Sequence, residues 1–129
     1  MAANTSPIFP GGPNCGQVQA VTANTNRDGT GTLATLWTPG TNGSLLTKVI
    51  VTVPGTSLVD VIRLFWYDGA NTRLYQEILV PAITPSTTLA VARVEFIPDT
   101  PEVWPTGWVL KCSTHIGQTT NLVALGGSY

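Results

Sequence analysis

Glycine and proline punctuation cuts residues 17–126 into short apolar runs at regular spacing, and none of them has a helical period. The runs fall at about 17–23, 32–38, 45–53, 58–67, 72–80, 87–97, 108–115 and 119–126. Between them stand Asn26-Arg27-Asp28-Gly29, Pro39-Gly40-Thr41-Asn42-Gly43, Pro54-Gly55-Thr56, Pro81 to Ser86, and Pro98 to Gly107. Short runs with turns between them at this spacing imply an all-β sandwich or barrel. The clearest unit is Arg63-Leu64-Phe65-Trp66-Tyr67, then Asp68-Gly69-Ala70-Asn71, then Arg73 to Val80. Aromatic and β-branched runs on both sides of an Asp-Gly turn form a hairpin signal.

Alternation assigns faces to these runs. Ile62, Leu64 and Trp66 share one side, with Arg63, Phe65 and Tyr67 on the other. Val49, Val51 and Val53 oppose Lys48, Ile50 and Thr52; Trp108, Leu110 and Cys112 oppose Val109, Lys111 and Ser113; Val94 and Phe96 oppose Arg93 and Glu95. One face in and one face out is the pattern of an antiparallel two-sheet sandwich. About eight strands fit a jelly roll, with the strand order open. Phe65 and Tyr67 beside Arg63, and Ile50 beside Lys48, put apolar side chains on nominally outer faces. They are either scattered surface hydrophobes or a subunit interface, where aromatics and arginine are enriched.

Residues 1–16 differ from the rest. Ala2 to Asn14 holds three prolines and no charge, which reads as an extended N-terminal arm ahead of a β-sandwich domain at 17–129. Ile8 and Phe9 are the arm's bulky apolar pair and require cover, either from their own domain or from a neighbouring subunit.

Composition narrows the function. Charged residues make up 10% of the chain, against roughly 25% in ordinary soluble domains, and 20 threonines fill the vacant surface. So few charges protect poorly against association, which implies that partner subunits cover part of the surface. The net charge is −1 and the six basic residues are scattered, so no basic stripe marks a nucleic-acid partner. The first residues lack a charged and apolar signal segment, and no run approaches a membrane span, so a cytoplasmic origin is expected. Cys15 and Cys112 form no C-x-x-C. They are expected as reduced thiols, with a bridge between them the alternative.

Nothing nominates catalysis or a cofactor. His115 is the lone histidine, there is no Gly-x-Ser-x-Gly, and no spaced ligand set would hold zinc. The carboxylates are dispersed, and Asp28 and Asp68 sit where turns call for Asp. Gly29-Thr30-Gly31 lacks the rest of a phosphate loop. Trp104 and Trp108 could form a sugar-stacking shelf beside Pro101 and Pro105; the plainer alternative puts Trp108 in the core and packs Trp104 on a rigid loop. The chain is expected not to be an enzyme.

Four stretches carry a resemblance: Ala2 to Phe9, Thr22 to Ser44, Arg63 to Val80, and Ser113 to Tyr129, about half of the chain. The opening Ala-Asn-Thr-Ser-Pro-Ile-Phe and the closing Gly-Gly-Ser-Tyr are its most specific parts. They resemble a family of small virion proteins of tailed bacteriophages. The resemblance implies a structural component of the virion, made and assembled in the host bacterial cytoplasm. The type implied is a capsid cement or decoration protein that associates with itself, as a trimer, and with the major capsid protein or other virion proteins. It supplies no catalytic motif. A glycan- or receptor-binding module on the tail or head surface is the alternative.

Overall fold

A computed structural model of the chain describes residues 10–100 and 102–129. No helix occurs among these residues. Ten strands build two sheets, and every strand pair is antiparallel. Sheet A contains β1 (Gly12–Pro13), β2 (Gly16–Ala20), β4 (Ser44–Thr52), β7 (Arg93–Phe96), β8 (Glu102–Trp104) and β10 (Thr120–Ser128). Sheet B contains β3 (Ala34–Trp37), β5 (Asp60–Tyr67), β6 (Thr72–Val80) and β9 (Val109–Thr114).

Sheet A has four lanes. β10 and β4 lie side by side at its centre, with Leu122 opposite Val51. β1 and β2 follow one another along the free flank of β10, and β7 and β8 along the free flank of β4. Both edges are therefore interrupted strands, a form that hinders pairing with a foreign edge. Sheet B runs β3-β9-β5-β6.

The core lies between the sheets. Leu46, Val49, Val51, Leu122 and Ala124 of sheet A pack with Leu36, Trp37, Ile62, Leu64, Ile78, Leu110 and Cys112 of sheet B. Complete burial of a side chain such as Leu64 stabilises by about 2 kcal/mol. The alternation of Val49-Val51-Val53 and Ile62-Leu64 gives the observed inward faces.

Three bulges interrupt that alternation. Leu36 is extra between Thr35 and Trp37, so two successive side chains of β3 point inward and both are buried. Thr47 is extra opposite the Leu125/Gly126 step, and its hydroxyl donates to Leu125 O at 2.8 Å. Beyond this bulge a Cβ on Gly126 would lie 2.2 Å from Leu45 O, so the close approach of β4 requires glycine. Tyr75 is extra opposite the Leu64/Phe65 step, and its ring joins the inner aromatic cluster. The β5–β6 turn is closed as Asp-Gly chemistry suggests, with Asp68 Oδ1 accepting from Ala70 N and Asn71 N at 2.9 and 2.7 Å. Those amides hold the Asp68 carboxyl below its usual range, Asn71 first.

Two segments depart from the sequence expectation. The run expected over 87–97 is a strand only from Arg93. Upstream, Ser86 N donates to Leu89 O and Ser86 Oγ accepts from Thr88 N, a local turn that competes with the ladder. Conversely, part of the segment expected as a loop from Pro98 to Gly107 forms β8, which continues the edge of β4 after β7 ends. Within the segment assigned to the arm, Gly12 and Pro13 pair with Ser128 and Gly127; an edge lane is where a proline can sit in a sheet.

Candidate functional site

The two outer faces of the sandwich are treated differently by the chain. On sheet B, Arg63, Phe65 and Tyr67 point away from the core, as their alternation implies. The 21–33 segment crosses over them between β2 and β3. Its first anchor is Asn24, whose N–H donates to Thr114 O at 2.8 Å and whose carbonyl accepts from Arg63 Nη1 at 3.2 Å. Asn24 Nδ2 donates to Thr30 O and Thr32 O, and its Oδ1 accepts from Asn26 N, so one buried side chain organises the whole crossing. The far anchor is Gly29, which lies against Thr72. Phe65 lies between these anchors. Arg63 and Phe65 are consequently 0% exposed within a single chain, so these two expected interface residues are interior. Tyr67 is half-buried; its hydroxyl donates to Gly69 O, and Lys111 Nζ stands 4.1 Å from its ring centroid. Ile8 and Phe9 lie outside the described residues.

The buried guanidinium needs partners on every side. Arg63 Nε donates to Glu77 Oε2 at 3.0 Å, and the exposed Arg27 Nε donates to the same oxygen at 3.0 Å. Arg63 Nη2 lies 3.1 Å from His115 Nδ1. A guanidinium only donates, so Nδ1 is the acceptor and a neutral His115 carries its proton on Nε2. The hydrogen bond from Arg27, and then the charges of Arg27 and Arg63, hold the Glu77 carboxyl below the usual carboxylate range. Next to this cluster, the buried Asp60 accepts from the N–H groups of Val61, His115 and Ile116 and from the Thr114 hydroxyl, which fixes the 115–118 turn. The polar side chains are thus committed to fastening one segment to one sheet. Glu77, Asn24 and Asp60 were not singled out from the sequence as a cluster; their spacing along the chain carries no signal of it.

Cys112 is buried, and burial pushes its thiol up to about 12, far from a reactive thiolate. Cys15 is exposed, and the two are not bonded to each other. Ser113, buried beside Arg63, is the one buried side-chain hydroxyl without a partner among the described residues. It lines a shallow cleft of about 110 Å³ with Gln19, Thr22, Thr32 and Cys112. No three His, Cys, Asp or Glu side chains gather as metal ligands among the described residues.

The opposite end of the sandwich is aromatic. Trp37 and Trp104 are buried and meet edge to face at 5.7 Å. Trp66 contacts Trp104 and Trp108 and stacks on Tyr75 at 5.2 Å. Burial, and then the bond to Glu102 Oε2, raise the Tyr75 phenol above its usual value. Trp104 belongs to the core, so Trp104 and Trp108 do not make a surface shelf. Trp108 and Tyr75 are half-buried, and Trp66 is the most exposed ring of the cluster, 37% exposed.

The outer face of sheet A has no such crossing segment among the described residues. Leu45, Ile50, Val123 and Leu125 are half-buried there, while Ile97 and Val103 are 59% and 61% exposed. Lys48 and Arg93 both pair with Glu95 along one side, and Arg93 above all keeps the Glu95 carboxyl low. Ile50 was legible as an outward apolar residue. Val103 was not, because its strand was read as a loop.

The described residues form a small all-β sandwich in which a segment of the chain crosses the outer face of sheet B and none of them crosses that of sheet A. No protein-family model matches the chain, and no curated protein matches its sequence.

Proposed function

We propose that this chain is a structural protein of a tailed-phage virion, a capsid cement or decoration subunit that stabilises the head through contacts with its own copies and with the major capsid protein. The observation that carries the reading is the apolar outer face of sheet A, which no other described residues cross, on a sandwich whose buried polar groups are committed to its own cohesion. A rigid, weakly charged block with such a face suits repeated attachment to a lattice, where multiplicity makes a modest contact effective. The strand order also supports the jelly-roll assignment. Ten strands, with β1 and β2 taken as one and β7 and β8 as one, leave eight. Renumbered along the chain, they run 1-8-3-6 in one sheet and 2-7-4-5 in the other, the arrangement of two Greek keys. The homotrimer rests on the resemblance of the four sequence stretches alone.

The test is made on particles of the phage that encodes the chain. Purified heads should contain the protein in many copies. Particles assembled without it should lose DNA at a lower temperature, and adding the recombinant protein back should restore them. Light scattering of the free protein should give the mass of a trimer. Heads that lack the protein, together with a monomer persisting at high micromolar concentration, would refute the proposal. A glycan-binding reading would rest on Trp66 and Tyr75. It predicts that Trp66→Ala abolishes surface adsorption while leaving particle stability unchanged.

A further inference from the structure

The cleft beside Ser113 lies where the flank of β9 loses its neighbour. Cys112 pairs with Ala34, the first residue of β3. Two residues on, Thr114 meets the crossing segment, bridging to Ala23 and accepting the Asn24 N–H with its carbonyl. Ser113 stands between these two pairings, and on its other flank it is opposite Arg63. The chain leaves β2 at Ala20 and enters β3 at Ala34 around this gap. Residues 19–22, with Thr32 and Ala34, therefore wall a cleft above Cys112 and Ser113. Exposure separates rim from floor: Gln19, Thr22 and Thr32 are exposed, whereas Cys112 is buried and Ser113 is 2% exposed.

Ser113 is the reason to read the gap as a site. Its hydroxyl has no hydrogen-bond partner among the described residues, and a buried hydroxyl left so carries its full desolvation cost. A ligand oxygen that accepts from it removes that cost. None of the lining residues is charged. The guanidinium of Arg63, across the β5–β9 ladder, is committed to Glu77, Asn24 O and His115. An ion would enter this cleft without a counter-charge, a cost that a neutral ligand avoids. Apolar surface from Ala20 and Ala34, with the hydroxyls of Thr22, Thr32 and Ser113, is the mixture of a small-molecule pocket. Size sets the upper limit. The volume is about 110 Å³, between the ~10–15 Å³ that one water needs and the ~150 Å³ of a cavity that accepts a six-carbon ring. It holds about four to six non-hydrogen atoms on that scale.

We propose that this cleft binds a small neutral polyol, a molecule of the size of glycerol or the hydroxymethyl arm of a sugar, with one ligand oxygen accepting from Ser113 Oγ. The carbon chain of the ligand lies against Ala20 and Ala34, and the rim threonines meet its outer hydroxyls. The site shares no residue with the aromatic end of the sandwich or with the apolar strip of sheet A, and it stands independently of the virion reading.

The experiment titrates glycerol and a methyl glycoside into the full chain, with acetate and methylammonium as charged probes, and follows the amide resonances. Glycerol should give saturating shifts at Thr22, Thr32 and Ser113, in the millimolar range that so few contacts allow. Its methylene protons should also show Overhauser contacts to the Ala34 methyl group, a readout that needs no substitution. Tighter saturation of the same resonances by the methyl glycoside would support the site and assign it to a glycan; saturation by glycerol alone would support it and assign it to a free polyol. Ser113→Ala should weaken glycerol binding about fivefold, the worth of one neutral hydrogen bond. The urea midpoint of that variant should stay at or above the parent's, since the hydroxyl has no protein partner to lose. Shifts that stay linear and scatter over the surface would overturn the proposal. So would saturation of these resonances by acetate or methylammonium, an absence of contacts to Ala34, or an affinity unchanged in Ser113→Ala.

Discussion

Removing the carboxylate of Glu77 should cost more than removing the arginine it serves. Arg63 is fully buried, and its Nε depends on Glu77 Oε2, whereas the Glu77 side chain is 34% exposed and also meets Arg27. Glu77→Ala leaves a guanidinium in the interior with only Asn24 O and His115 Nδ1 as partners. Breaking a buried pair from one side costs about 3–5 kcal/mol, and the part-exposed carboxylate puts this case near about 3. Arg63→Met instead takes the charge away. Glu77 then keeps Arg27 and water, while the buried Asn24 O and the part-buried His115 Nδ1 each lose one donor, a cost of about 2 kcal/mol in all. Arg27→Ala removes an exposed partner and should cost under about 0.5 kcal/mol. Urea titration followed by tryptophan fluorescence measures all three, with the midpoint shift read at constant slope. For a chain of this size, Glu77→Ala should also lower the Tm by about 10 °C. The reasoning fails if Arg63→Met is as damaging as Glu77→Ala, or if Glu77→Ala stays within about 0.5 kcal/mol of the parent.

Three further outcomes are expected. Because the Glu77 carboxyl is held low in the folded protein, its contribution is complete above the unfolded value, ~4.3, and is lost as pH falls through the lower folded value; Glu77→Gln should therefore flatten the fall of stability with pH below that point, measured by urea midpoints across an acid series. An aromatic disulfide reagent should titrate one thiol rapidly in the native protein, that of Cys15, and the second only after unfolding, since Cys112 is buried with its thiol near 12; two fast thiols would contradict the packing. Gly126→Ala should destabilise by about 3 kcal/mol or prevent folding, because its Cβ would meet the Leu45 carbonyl, whereas Gly55→Ala, with open space around it, should stay within about 0.5 kcal/mol in the same denaturation assay.

Alternation made the inward faces legible in advance. Val49, Val51, Ile62, Leu64, Leu110 and Cys112 all stand in the core where a period of two puts them. The same rule put Arg63 and Phe65 on the opposite face of β5, and they are there. It could not foresee that the chain would fold its own 21–33 segment over them, since that depends on Asn24 meeting Thr114 and Arg63 from far along the sequence. Bulges are equally silent. Leu36, Thr47 and Tyr75 each add a residue to one strand of a pair, which only the partner strand reveals. β8 escaped notice because its three residues lie among prolines and owe their form to the edge of β4, not to propensity.

The strand that completes sheet A is the last to be made. β10 lies at the centre of the sheet, between β2 and β4, so as a ribosome releases the chain the inward valines of β4 have no neighbour on that side until residue 122 and its successors emerge. The β5–β6 hairpin, joined by four residues, can form long before. Folding of the sandwich then waits on β10, the last of its strands in chain order. Shortening β10 would remove a middle plank of the sandwich, leaving β1 and β2 with no strand to pair against and one side of the core bare.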